Sequence, residues 1–213
     1  MLARLLAAGR ISLAVGFFAM AISMVVGTTI GLIAGFYRGL VGAVLMRIVD
    51  AVLCFPSIFL LLTLAALIDQ SIITIILIIA FSSWMEVARV VYSQVLTLRE
   101  RDFALAAEAV GVSDIMIMLR ELLPNMMAPI IVAATLNVAR AILMESYMSY
   151  LGYGVEPPTP SWGNMLTNAQ EYLEAAPWLA LLPGGAITLA VTSFNFIGDG
   201  LRDALDPLRD RSA

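Results

Sequence analysis

The sequence predicts an all-α fold, a polytopic membrane helix bundle with five spans, and three observations lead there. Hydrophobic residues fill 61% of the 213 positions, charged residues only 13%, and mean hydropathy is +0.94; a soluble domain carries roughly twice that charge fraction. The apolar residues fall in runs of about 20, the length a helix needs to cross a hydrocarbon core of about 30 Å. Charge gathers between the runs, most densely from Arg99 to Asn125.

The first run, residues 11–36, follows Arg4 and Arg10 in the manner of a signal peptide but is too long for one. Its Gly16, Gly27, Gly31 and Gly35 include small-xxx-small spacings, a signal for close helix packing in lipid. A polar connection is expected from Arg38 to Asp50. A second span then covers 51–68, with Pro56 near its start as a kink that could be a hinge or a tolerated irregularity. The third covers 72–91 and runs on towards Arg99, with Trp84 at interface depth and Glu86 three residues from Arg89, close enough to pair.

The fourth span, 129–150, carries Asn137, Arg140 and Glu145. Polar and ionisable groups at bilayer depth belong in the bundle interior, a wet cavity or a subunit interface, and at 100° per residue these three fall within an arc of about 140°. They are candidates for the pathway or a subunit interface, with plain structural pairing as the alternative. Residues 152–178 are rich in proline and glycine, and Trp162, Tyr172 and Trp178 suit an interfacial belt. The fifth span covers 178–197, followed by a polar tail.

Between the third and fourth spans, Asp102 to Val110 reads as a short alanine-rich helix, with Asp102 placed to cap it or to favour its positive end. Gly111 interrupts. Ser113 and Asp114 restart a helix with Ile115, Leu119 and Leu122 on one face, and Pro124 with Pro129 stops it. Pattern alone leaves two readings open, an amphipathic connector or a structured knob on the membrane surface. If this segment is cytoplasmic, Arg38, Arg47, Arg99, Arg101, Arg120, Arg202, Arg209 and Arg211 lie on the cytoplasmic side. Asp69, Glu156, Glu171 and Glu174 lie opposite, with Arg4 and Arg10 outside. That asymmetry agrees with the positive-inside rule and puts the C-terminus in the cytoplasm.

Composition closes off much chemistry. The chain has no lysine, so it cannot form a G-x-x-x-x-G-K-[ST] phosphate loop, and no histidine, which removes imidazole-based triads, H-E-x-x-H zinc sites and imidazole proton relays. The lone Cys54 gives no disulfide and reads as a small apolar residue in a helix. A sequence pI near 4.8 argues against a nucleic-acid partner.

The run A-A-E-A-V-G, nine residues, then E-L-L-P resembles the cytoplasmic EAA loop of ABC importer permeases, in the branch that carries peptides, nickel and related solutes. Leu105, Ala106 and Ala107 take the E-A-A positions, so the leading glutamate is absent, and Glu121 stands where this branch often has histidine. Gly111, Leu123 and Pro124 are in register. The stretches G-L-I-A-G-F-Y-R-G, M-R-I-V-D-A-V-L-C-F-P, L-G-Y-G-V-E-P-P-T-P-S-W-G-N-M-L and F-N-F-I-G-D-G-L-R-D-A-L-D-P extend the likeness over nearly the whole chain, to the C-type permease subunit of dipeptide and oligopeptide importers.

The resemblance implies a type I ABC importer transmembrane domain in the cell membrane. It implies a homologous second permease subunit, two ABC ATPase subunits that hold ATP and magnesium, and an extracytoplasmic solute-binding protein. Residues 99–125 would be the coupling loop, with Asp102, Ala106, Ala107, Gly111, Leu123 and Pro124 as the coupling element. Relatives carry nickel, glutathione or glycosides on the same scaffold. Family members usually have six spans, so the first is expected to be missing here, through a late start or a truncation. Other classes of function are an intramembrane enzyme using Glu86, Asp69 or Glu145, for which no paired-carboxylate or metal spacing exists, and a self-assembling pore, which would leave the segment around Gly111 without a use.

Overall fold

The computed structural model describes residues 1–167 and 169–205, and every regular element among them is helical. Helix α1, Leu2–Tyr37, is 36 residues long, about 54 Å at 1.5 Å per residue. It absorbs the Ala- and Leu-rich N-terminal residues, which are strong helix formers. It ends where Arg38 takes φ 48° and Gly39, the first residue of the next helix, φ 52°, positive angles that interrupt a right-handed helical path.

Helix α2, Gly39–Leu53, follows at once, so the polar connection expected at 38–50 is instead a helix. The span expected at 51–68 is not one kinked helix either. Helix α2 stops at Leu53, Cys54 to Pro56 intervene, and α3, Ser57–Leu67, leaves at a bend of 82°. Pro56 drives this break: it has no N–H to donate, disfavours helical geometry at Phe55, and at φ −59° is already set to open α3. Helix α4 is Ile72–Leu98; α5, Asp102–Ala109; α6, Asp114–Met116. A π-helical stretch, Ile117–Leu122, leads into α7, Leu123–Asn125, and then α8, Met127–Tyr150. Helix α9, Trp162–Leu166, a 3-10 turn at Ala169–Tyr172 and α10, Trp178–Leu205, complete the described chain. Among the described residues four helices (α1, α4, α8 and α10) are long and apolar enough to cross a membrane, five spans if the bent pair α2 and α3 counts as one. Asp206, Pro207, Arg209 and Arg211 of the tail lie outside the described residues.

The chain forms two compact units. One comprises Met1–Ile22, Phe55–Ser83 and Thr135–Ile197; the other comprises Ser23–Cys54, Trp84–Ala134 and the chain from Gly198 onward. In the first, Val15, Leu61, Ile75, Ile79, Ala141 and Met148 make one buried cluster, and Ala8, Val138, Ile142, Trp162 and Ile187 another. Trp162, expected in an interfacial belt, is buried, and its indole N–H donates to the Leu5 carbonyl at 3.1 Å.

In the second unit the spacing of Gly27, Gly31 and Gly35 acts as the sequence implied. A Cβ on Gly27 or Gly31 would lie 2.5 Å from the carbonyl oxygen of Trp84 or Ala88, and one on Gly35 would lie 2.7 Å from Val95. Lipid tails are as apolar as leucine, so a bundle in lipid gains from backbone closeness and hydrogen bonds more than from apolar burial. Arg89 of α4 pairs with Asp50 of α2. Arg38 bonds the Leu96 carbonyl at 3.2 Å and Glu100 at 3.0 Å, tying the α1–α2 turn to the end of α4.

Candidate functional site

Segment 99–125 lies in the second unit and is a structured knob. Arg101 has extended backbone angles and precedes α5 without a side-chain cap, so Asp102 sits in the first turn, where its charge favours the positive helix end. Ala104 is buried beneath α5, Ala106 is exposed and Ala107 half-buried. Gly111 has φ +83° with nothing within 4 Å of a would-be Cβ, so its need is conformational and not steric. After it, Asp114 begins the next helical stretch.

The face expected from Ile115, Leu119 and Leu122 does not form. Leu122 is wholly buried, but Ile115 is 64% exposed and Leu119 56%. The π winding is the reason: its i to i+5 repeat stacks Ile117 on Leu122, and those two with Met118 and Met126 take the buried side. Nor does Pro124 stop the helical path. It occupies the second position of α7, where a missing N–H is harmless, and the wider π turn before it relieves the clash of its ring with the preceding turn. Leu123 is half-buried and Pro124 exposed; the break falls at Met126. Val110, 83% exposed, joins Leu105, Ile115 and Leu119 as uncovered apolar side chains on a segment of 27 residues that also carries eight charged ones.

The three polar residues of α8 part company. Asn137 and Glu145 are buried in the first unit and Arg140 is exposed. At 100° per residue Arg140 points about 140° away from Glu145, so a helix packed on one side separates them. Ser12 and Ser149 donate to the two carboxylate oxygens of Glu145 at 2.8 and 2.7 Å. Those serines accept in turn from the backbone N–H groups of Trp162, at 3.1 Å, and Val155, at 3.0 Å. The periodicity of α8 made Glu145 visible. Its serine partners were not, because Ser12 lies 133 residues away.

The fold and these two sites define a multi-pass membrane protein with a helical knob that leaves apolar side chains uncovered. Residues 27–211 match the family model described as "Binding-protein-dependent transport system inner membrane component", and the chain belongs to that family. It is similar to the dipeptide transport system permease protein DppC of Alkalihalophilus pseudofirmus, 44% identical over 204 residues that cover 96% of this chain and 67% of the relative. The glutathione transport system permease protein GsiD of Pectobacterium atrosepticum is 38% identical over 204 residues, covering 96% and 68%. The fold matches that of the inward-facing MetNI methionine ABC transporter with a TM-score of 0.78 and 17% identity, over 97% of this chain and 98% of that one. This chain is accordingly a permease subunit of an ABC importer, a transport component and not an enzyme, whose family implies a partner ATPase and a substrate-binding protein.

Proposed function

We propose that the chain forms half of a translocation pathway for di- and oligopeptides in the cell (inner) membrane. A homologous second permease stands beside it, two ATPase subunits lie on the cytoplasmic face, and a solute-binding protein docks outside. The observation that carries this reading is the uncovered apolar set Leu105, Val110, Ile115 and Leu119 on a segment otherwise rich in charge. Apolar side chains presented by a structured knob mark a surface that a protein partner covers. Asp102, Ala106, Ala107 and Gly111 shape that surface, and Leu123 and Pro124 carry it towards α8.

The mechanism is mechanical. Helix α8 starts one residue after α7 and runs 24 residues, a rod of about 36 Å, and the closing ATPase dimer displaces the knob that leads into it. That displacement shifts an equilibrium only if the ATPase contacts differ between the inward- and outward-open states. Arg140, exposed on α8, is the candidate for the pathway or the subunit interface. The knob is cytoplasmic in this reading, and the C-terminus with it. Purifying the tagged chain from its own membrane should bring down ATPase subunits in stoichiometric amounts, and vesicles from that strain should take up labelled dipeptide in an ATP-dependent manner. A preparation free of ATPase would overturn the reading. The likeness to a glutathione permease supports a second cargo; competition between unlabelled glutathione and dipeptide uptake separates the two.

A further inference from the structure

The loop between α8 and α9 is held at both ends by one carboxylate. Val155 N–H reaches Glu145 through the Ser149 hydroxyl, and Trp162 N–H reaches it through the Ser12 hydroxyl. Each serine donates its one proton to the carboxylate and accepts the backbone N–H on a lone pair, so the two arms are matched and Glu145 is their common acceptor. Glu145, Ser12 and Ser161 are wholly buried and Ser149 nearly so, which puts all four groups out of reach of competing water.

The loop is drawn down onto α8 at the same two places. A Cβ on Gly154 would lie 2.3 Å from Ser149 Cα, and one on Gly163 would lie 2.7 Å from Ser146 Cα. Between them, Asn164 donates to the carbonyls of Val155, at 2.9 Å, and Thr159, at 2.8 Å, and forms a capping box with Ser161. What remains free is the crest: Tyr153, Glu156, Pro157 and Pro158 are exposed. A loop whose backbone is tied at this many points presents its crest in one shape, which lowers the ordering cost of binding. In the importer reading, the loop that follows α8, a helix long and apolar enough to cross a membrane, is extracytoplasmic.

We propose that Glu145 is the positioning residue of the extracytoplasmic docking surface: through Ser12 and Ser149 it sets the loop 154–162 in the shape that the solute-binding protein recognises. This rests on the importer reading above. A carboxylate buried in one helix thereby governs a contact it does not touch, and Glu156 places a negative charge on the exposed crest.

The test uses the assembled transporter in proteoliposomes and measures ATPase rate against the concentration of loaded binding protein. Glu145→Gln should raise the half-saturating concentration about tenfold, since one arm then faces an amide donor in place of an acceptor, while the maximal rate and the rate without binding protein stay within about twofold. Ser12→Ala and Ser149→Ala should each raise it about threefold and add little to Glu145→Gln, because they cut the same chain of bonds. Glu156→Arg, with the clip intact, should also raise it. An unchanged half-saturating concentration in Glu145→Gln, or a fall in maximal rate alone, overturns the proposal; should Glu145→Gln fail to assemble, the two serine variants decide by the same measure. A second readout does not depend on the importer reading. In membranes carrying the full chain with Cys54→Ala, maleimide labelling of Val155→Cys should be slow and should quicken at least about fivefold when Glu145→Gln loosens the loop. Labelling that quickens while wild type shows no stimulation by binding protein defeats the importer reading and leaves the clip standing; labelling that does not quicken defeats the clip.

Discussion

At the C-terminal end of α8 the backbone groups of Val155, Thr159, Ser161 and Trp162 each find a side-chain partner inside their own unit. The chain leading into the other end of that helix leaves Val110, Ile115 and Leu119 bare. The first region has its polar groups bonded within this polypeptide, and the second leaves apolar side chains exposed. The physical difference is what would happen to each in isolation. Glu145 already has its hydroxyl partners inside the unit, whereas exposed apolar side chains have a lower free energy under a partner. One helix thus joins a region whose polar groups are bonded within the chain to a region whose apolar side chains are uncovered.

The largest effect is expected at the C-terminal end of α8. Glu145→Ala leaves two serine hydroxyls buried without their acceptor and should cost about 2 kcal/mol of stability, read as a lowered midpoint of thermal unfolding in detergent. A midpoint equal to wild type would mean the clip contributes nothing. At the open end, Gly111→Val meets no neighbouring atom but forces a β-branched residue to φ +83°, a local cost of about 1–2 kcal/mol. The protein should insert in normal amounts and lose most dipeptide uptake; full uptake would count against the knob as the coupling element. The smallest effect on stability should come from Val110→Asp, within about 0.5 kcal/mol because the side chain is surface, yet ATPase subunits should no longer co-purify with it. If they remain bound, the uncovered apolar face belongs to some other contact.

Parts of this were legible without coordinates. The long uncharged runs correspond to α1, α4, α8 and α10, because apolar length alone decides whether a helix can cross lipid. The glycines of α1 announced close packing, and the spacing of A-A-E-A-V-G and E-L-L-P marked the knob and its bend at Gly111. The reading failed where local pattern was read as local structure. Pro56 was visible, but a lone proline does not say whether it kinks one span or separates two helices, and here α2 and α3 part at 82°. The Ile115, Leu119 and Leu122 face assumed a 3.6-residue period, and π winding replaced it.

Composition, run length and spacing along the chain therefore suffice for the solvent, the approximate number of crossings and the family. Only the tertiary structure decided which polar residues are spent inside. Asn137, Arg140 and Glu145 look alike on a helical wheel, yet Glu145 is consumed by Ser12 and Ser149 while Arg140 stays exposed. The reason is that a hydrogen bond depends on distance in space, and Ser12 is brought to Glu145 only when two helices 133 residues apart in sequence pack side by side.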